Sequence, residues 1–170
     1  ESMSASPYAV ESARFGRKMG DATVTDWLVG ALSDPFGHGH MGVTAENVAE
    51  RHGIDRARQD AAAVESHRRA ARAIAEGRFR AQIAPVEIAG RRRTVTVDTD
   101  EHVRPGIVAE DLARLRPVFR KNGTVTAGNA SGINDGAAAL ILMARATATE
   151  RGLVPLARLR GYGHAGVPPR

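Results

Sequence analysis

Apolar residues recur along this chain at two periods, helical and strand-like, separated by glycine- and proline-marked breaks. Val24, Trp27, Leu28 and Leu32 predict an amphipathic helix over Asp21–Leu32, with Trp27 as a core anchor. The glycines, proline and histidines of Ser33–His40 predict a loop. Thr44 is positioned to cap a helix over Ala45–Arg51 that ends near Gly53. Asp55 is positioned to cap a long Ala-rich helix from Arg56 to about Glu76, with Ala61, Val64, Ala71 and Ile74 on one face and Gly77 as its stop. Ala81–Ile88, interrupted by Pro85, predicts an edge strand, and the alternation in Arg93–Val97 a second strand. A short helix is expected over Val108–Leu115, presenting Val108, Leu112 and Leu115 and stopping at Arg116-Pro117. The unbroken apolar run Ala137–Met143 predicts a strand buried on both faces. Arg145–Gly152 predicts a helix, and Leu156–Gly161 a last strand.

Directly before the apolar run lies Asn122–Gly136, rich in Gly, Asn, Ser and Thr. Glycine lets a ligand approach the backbone closely, and the short polar side chains add local hydrogen bonds. Such a loop entering a buried strand puts amides and hydroxyls at a cavity edge; a tight turn between core elements gives the same pattern.

Composition narrows the chemistry. The 170 residues are 42% hydrophobic and 25% charged, as in soluble globular domains. No apolar stretch reaches the roughly 18 residues of a membrane span, and no secretory signal opens the chain. Neither membrane association nor export is expected, and the reading is cytoplasmic. The formal charge is +5, which suits an anionic partner. The only basic cluster is Arg91–Arg93, without interleaved aromatics, so nucleic acid is not expected. Asp98–Glu101 is acidic, but adjacent residues in one extended stretch cannot all converge on an ion; a solvated or Arg-paired loop is the reading, with no metal site. Cysteine is absent, which excludes disulfides and thiolate chemistry from these residues.

Several motifs carry a family resemblance: Asn122–Ala139, Glu1–Ser4, Lys18–Asp21, His40–Ala49, Val97–Glu101 and Leu115–Phe119. In order and spacing they resemble the thiolases, the acetyl-CoA acetyltransferases, across essentially the whole chain. The resemblance implies a thiolase-like α/β fold of which this chain is a portion. Residues 1–132 are similar to the inserted loop domain, which holds coenzyme A and makes oligomer contacts. Residues 133–152 resemble the last strand and helix of the first thiolase half, and 153–170 the start of the second. The expectation is that the strand Ala137–Met143 pairs with strands outside this chain.

The resemblance also implies site residues. Ser131 matches the serine that contacts the pantetheine arm, with Gly132 leaving room beside it. Phe119 and Ala127 match positions bordering the cofactor, and Leu32, His40 and Met41 match positions lining the same cleft. Arg104 matches a basic residue near the adenosine end. Asp111 stands where some relatives place a serine. No catalytic residue is assigned, because both family cysteines are missing and the surroundings of His164 do not match the family's histidine motif. The implied activity is acetyl transfer between acyl-CoA thioesters through a cysteine acyl-enzyme, with this chain supplying coenzyme A binding. Coenzyme A and acyl-CoA are substrates, no cofactor is tightly bound, and the partner is further copies in a homo-oligomer, with Arg14–Gly20 as one contact. The alternative is a non-catalytic coenzyme A-binding or oligomerisation module.

Overall fold

The computed structural model describes residues 1–10 and 13–167. In chain order its elements are β1 (Tyr8–Ala9), β2 (Thr25–Asp26), α1 (Trp27–Ala31), β3 (Ser33–Asp34), β4 (Gly39–His40), α2 (Met41–Arg51), α3 (Arg56–Ala75), β5 (Val86–Ala89), β6 (Thr94–Val97), α4 (Ala109–Ala113) and α5 (Arg145–Glu150). The chain divides into two compact units, one of residues 29–132 and one of residues 1–28 with 133–170.

Within the first unit, α3 begins where Asp55 accepts from the Arg58 backbone N–H at 2.8 Å, and a C-terminal turn at Gly77 (φ 70°) follows it. This is the helix and cap expected from sequence. The start of α2 differs. Its N-cap is His40, not Thr44, so the helix gains a turn at its beginning. The cause is the β3–β4 hairpin, which delivers the chain to Met41 already paired: the Met41 N–H donates to the Leu32 carbonyl at 2.8 Å. Asp34 closes the hairpin loop by accepting from the N–H groups of Phe36 (3.1 Å) and His38 (2.9 Å).

Gly42, Glu46 and Ala49 form the buried stripe of α2, spaced one helical turn apart. Leu112 of α4 and Val125 complete the apolar interior, and Asp60 and Thr126 are buried beside them. This interior is therefore as polar as it is aliphatic, and its hydrogen bonds decide its shape. β5 and β6 form an antiparallel hairpin in which Val86 faces Val97 and Ile88 faces Val95. The first strand starts after Pro85, which has no N–H to give to the ladder. α4 is shorter than expected: Leu112 is fully buried, but Val108 and Leu115 are exposed.

In the second unit, β1 pairs antiparallel with β2, Tyr8 facing Asp26 and Ala9 facing Thr25. The ladder takes Thr25 and Asp26 away from the helix expected over Asp21–Leu32, leaving only the short α1, and Trp27 is 56% exposed, not a core anchor. Asp135 accepts from the Ser4 backbone N–H at 2.9 Å and from the Ser4 hydroxyl, and the Gly136 N–H donates to the Glu1 carbonyl at 3.1 Å. The expected helix after residue 144 is present as α5, and Gly152 (φ 64°) follows it.

Two expected strands are not formed. Ala137–Met143 and Leu156–Gly161 have no ladder partner among the described residues. Leu140, Ile141 and Leu142 are each 87% exposed, so this run is neither paired nor buried. A strand buried on both faces needs neighbours on both edges and layers above and below, and its own sequence supplies none of these.

Replacing Asp55 with Ala removes the α3 cap and is expected to lower the stability of the chain by about 1 kcal/mol in urea unfolding.

Candidate coenzyme A site

The first turn of α2 gathers four of the residues singled out from sequence. His40 caps the helix through its own side chain: Nδ1 accepts from the Gly42 N–H at 3.0 Å. With Nδ1 accepting, the neutral ring carries its proton on Nε2. The ring stacks on Phe119, with centroids 4.8 Å apart and planes 21° apart. Gly42 makes the approach possible, because a Cβ there would overlap the Phe119 ring. Leu32 and Met41 join the group through their backbone hydrogen bond, and the Met41 side chain stays exposed. What sequence alone leaves as a loop histidine is a helix cap stacked on an aromatic ring.

The glycine loop is held by the same face of α2, one turn on. The Glu46 carboxylate is buried and accepts from the backbone N–H groups of Thr124 (2.9 Å) and Val125 (2.8 Å) and from the Thr124 hydroxyl (3.0 Å). The Val118 N–H donates to the Val125 carbonyl at 3.0 Å, closing the segment on itself. Its turn places Asn122 at φ 62° and Gly123 against Glu46, where a Cβ would overlap the carboxylate. Gln59 of α3 donates to the Thr124 hydroxyl oxygen at 2.8 Å.

A second polar chain holds the next turn. Asn129 accepts from the Thr126 N–H (2.8 Å) and donates to the Thr124 carbonyl (3.0 Å) and to Asp60 (2.9 Å). Asp60 in turn pairs with Arg56 at 2.7 Å, and Arg56 also reaches the Leu112 and Leu115 carbonyls at the end of α4. This network surrounds Ala127, which is exposed on the Thr126–Asn129 turn. Ser131 is exposed and Gly132 half-buried just beyond the network.

Arg104 has a different support. Its backbone N–H donates to Nδ1 of His67, in α3, at 3.3 Å, and its side chain is exposed. The His67 and His102 rings lie 5.9 Å apart. Asp111 turns back on its own helix start, accepting from the Val108 N–H at 3.3 Å. The site residues thus rest on three supports: the first turn of α2 for Leu32, His40, Met41 and Phe119; the glycine loop for Ala127, Ser131 and Gly132; and α3 for Arg104. Among the described residues no group of three His, Asp or Glu side chains is placed to hold a metal ion.

Sequence reasoning missed Glu46, Gln59, Asp60 and Arg56. In a linear reading they are polar positions on helices, with no pattern to separate them from solvated faces. Burial pushes the Glu46 carboxyl up. The Val125 and Thr124 hydrogen bonds and the charge of Arg120 outweigh it, leaving the group below the ordinary value of 4.5.

Residues 1–146 match the model of the thiolase N-terminal domain. The chain belongs to the thiolase family. It is 60% identical to the beta-ketothiolase BktB of Cupriavidus necator, over all of this chain and 43% of that protein. It is 49% identical to the acetyl-CoA acetyltransferase of Escherichia coli K12, over 99% of this chain and 43% of that one. The solved acetyl-CoA acetyltransferase of Bacillus anthracis superposes with a TM-score of 0.87 at 50% identity, covering 99% of this chain and 43% of its own. Human mitochondrial 3-ketoacyl-CoA thiolase, solved in complex with CoA, matches at a TM-score of 0.70 and 44% identity, over 78% of this chain and 33% of its own. The chain therefore spans under half the length of these thiolases. Its fold is that of the N-terminal part of a thiolase.

Glu46 should make this unit acid-sensitive. The unfolded chain holds the Glu46 proton up to about its ordinary value, whereas the folded unit has released it. Stability contributed by Glu46 is therefore complete above the ordinary value and is lost as pH falls through the lowered folded value. Glu46→Gln is expected to cost about 1–3 kcal/mol at neutral pH and to flatten the acid limb of urea midpoints measured from about pH 5 to about pH 3. Gly42→Ala forces Phe119 away from His40 and should cost a similar amount, about 1–3 kcal/mol, with shifted Phe119 ring resonances by NMR.

Proposed function

We propose that this chain is the coenzyme A-holding portion of a thiolase-type acyltransferase, one that transfers acetyl groups between acyl-CoA thioesters through a cysteine acyl-enzyme. The observation that carries the reading is the convergence at the first turn of α2. Phe119 is remote in sequence from Leu32, His40 and Met41, yet it stacks on His40, beside the backbone hydrogen bond from Met41 to Leu32. Family membership supplies the substrate class, and several relatives are named for acting on acetyl-CoA.

In this reading the exposed Ser131 hydroxyl bonds an amide of the pantetheine arm, and Gly132 leaves room for it. Phe119, Ala127, Leu32 and Met41 cover its apolar parts, and His40 offers Nε2–H as a donor. Arg104 meets a nucleotide phosphate, where a guanidinium presents paired donors. The Asp111 carboxylate, committed to the Val108 N–H, turns its charge toward its own helix start. The domain assignment follows: residues 1–132 are the loop domain, 133–152 the close of the first half, and 153–170 the opening of the second. We place the protein in the cytoplasm as a homo-oligomer that uses coenzyme A as substrate and holds no tightly bound cofactor. Of the described helices, none is long and apolar enough to cross a membrane.

The chain contains no cysteine, so it provides binding and positioning and not the nucleophile. The alternative is a coenzyme A-binding module without catalysis, which the same residues would serve. Acetoacetyl-CoA cleavage assayed on the protein as its source cell produces it separates the two: turnover supports the enzyme, and coenzyme A binding without turnover supports the module.

Titration calorimetry on the 170-residue chain tests the site that both readings share. Coenzyme A should bind, Arg104→Gln should weaken it about tenfold, and the same variant should leave pantetheine binding unchanged. Equal losses for both ligands would remove Arg104 from the phosphate end.

A further inference from the structure

Arg104 opens a tight turn in which Pro105 and Gly106 are the central residues, with Gly106 at φ 81°. A proline in the second place and a left-handed glycine in the third suit a type II turn. Pro105 also confines the residue before it to extended backbone, so the direction in which the chain leaves Arg104 is fixed locally. The direction from which it arrives is fixed by another element. The Arg104 N–H donates at 3.3 Å to Nδ1 of His67, a half-buried side chain of α3. Two residues before Arg104, the His102 ring lies beside the His67 ring with centroids 5.9 Å apart.

The same segment is tied to α3 a second time. Arg56 donates to the Leu112 and Leu115 carbonyls at the end of α4. Arg56 and His67 are about three turns apart on one helix, or about 16 Å. The chain from His102 to Leu115 is thus pinned to α3 near both of its ends, and Arg104 sits at one of the pins. Its side chain is exposed, and no ion pair among the described residues engages it. A long side chain loses conformational freedom when it orders on a ligand, and a fixed backbone beneath it lowers that loss.

We propose that His67 is a positioning residue: by accepting the Arg104 N–H it sets the turn from which the Arg104 guanidinium meets the nucleotide end of coenzyme A. The proposal rests on the reading of Arg104 given above and adds the group that holds it. His67 lies outside every motif that carries the family resemblance. It touches no ligand in this role and acts only through Arg104.

Three substitutions at one position separate this role from simple support of the helix. Asn carries its oxygen on Cγ, where His carries Nδ1, so His67→Asn keeps an acceptor in place. His67→Leu removes the acceptor. His67→Gln moves it one methylene outward and serves where His67→Leu does not fold. Leu favours a helix interior more than Asn does, so a residue that served only stability would rank Leu above Asn. The proposal requires the opposite order in coenzyme A affinity.

Titration calorimetry with coenzyme A and with pantetheine, which lacks the nucleotide, reads the effect in the protein at the length its source cell produces. His67→Leu and His67→Gln should each weaken coenzyme A about threefold, less than the loss from Arg104→Gln, and leave pantetheine unchanged. His67→Asn should bind coenzyme A as the parent does. Adding His67→Leu to Arg104→Gln should bring no further loss, because the group through which His67 acts is already gone. Thermal midpoints by circular dichroism confirm that each variant is folded. Equal losses for the two ligands, full additivity with Arg104→Gln, or parent-like coenzyme A binding by a folded His67→Leu or His67→Gln overturns the proposal and leaves the coenzyme A site standing. Parent-like coenzyme A binding by Arg104→Gln, or none by the parent, overturns the reading of Arg104 and the proposal with it.

Discussion

One buried carboxylate sets the form of the unit spanning residues 29–132. Glu46 accepts from two consecutive backbone N–H groups and a hydroxyl of the glycine loop. A loop of this composition has many accessible conformations and almost no apolar surface with which to select one. A charged acceptor in a buried place selects strongly, because leaving its donors or its own oxygens unpaired costs more than the hydrogen bonds themselves contribute. The path of Thr124 and Val125, the left-handed Asn122 and the bare Gly123 all fit that acceptor.

The clamp also ties the parts of the site together. Gly42 and Glu46 are one turn apart on the buried stripe of α2. The helix that seats Phe119 against His40 therefore also holds the loop leading to Ala127 and Ser131. The chain from Asn129 through Asp60 to Arg56 then passes the constraint to α3 and to the end of α4. Phe119 and the glycine loop belong to one continuous segment, closed between Val118 and Val125, so a shift of either would be felt by the other. A ligand lying along this surface would meet groups whose positions are already fixed, which lowers the ordering cost of binding.

Apolar surface is distributed in the opposite sense. The interior of the unit is small and partly polar, while the β5–β6 face and the run Leu140–Leu142 are exposed. The two exposed features differ in kind. The hairpin has a complete ladder and a defined face. The run has hydrophobicity but no ladder, so nothing within it selects a register. Membership of a family whose relatives are more than twice this length agrees with a run that requires neighbouring strands.

The sequence by itself determined what depends on neighbours in the chain. The Asp55 cap, the length of α3, the turn at Gly77 and the β5–β6 alternation are local, and each was legible from a few adjacent residues. The motifs also identified the family, and the proposed site residues His40, Phe119, Ser131 and Arg104 come from that resemblance, which does not say how they are held. Only the tertiary structure decided that His40 caps α2 in place of Thr44, that Trp27 stays in solvent, and that Ala137–Met143 has no ladder among the described residues. It alone showed that Glu46, Gln59, Asp60 and Asn129 form one network. The physical reason is the same in each case. Hydrogen bonds between groups tens of residues apart, as from Glu46 to Val125, leave no periodic trace in composition. A strand's apolar pattern specifies that it must be covered, but not by what.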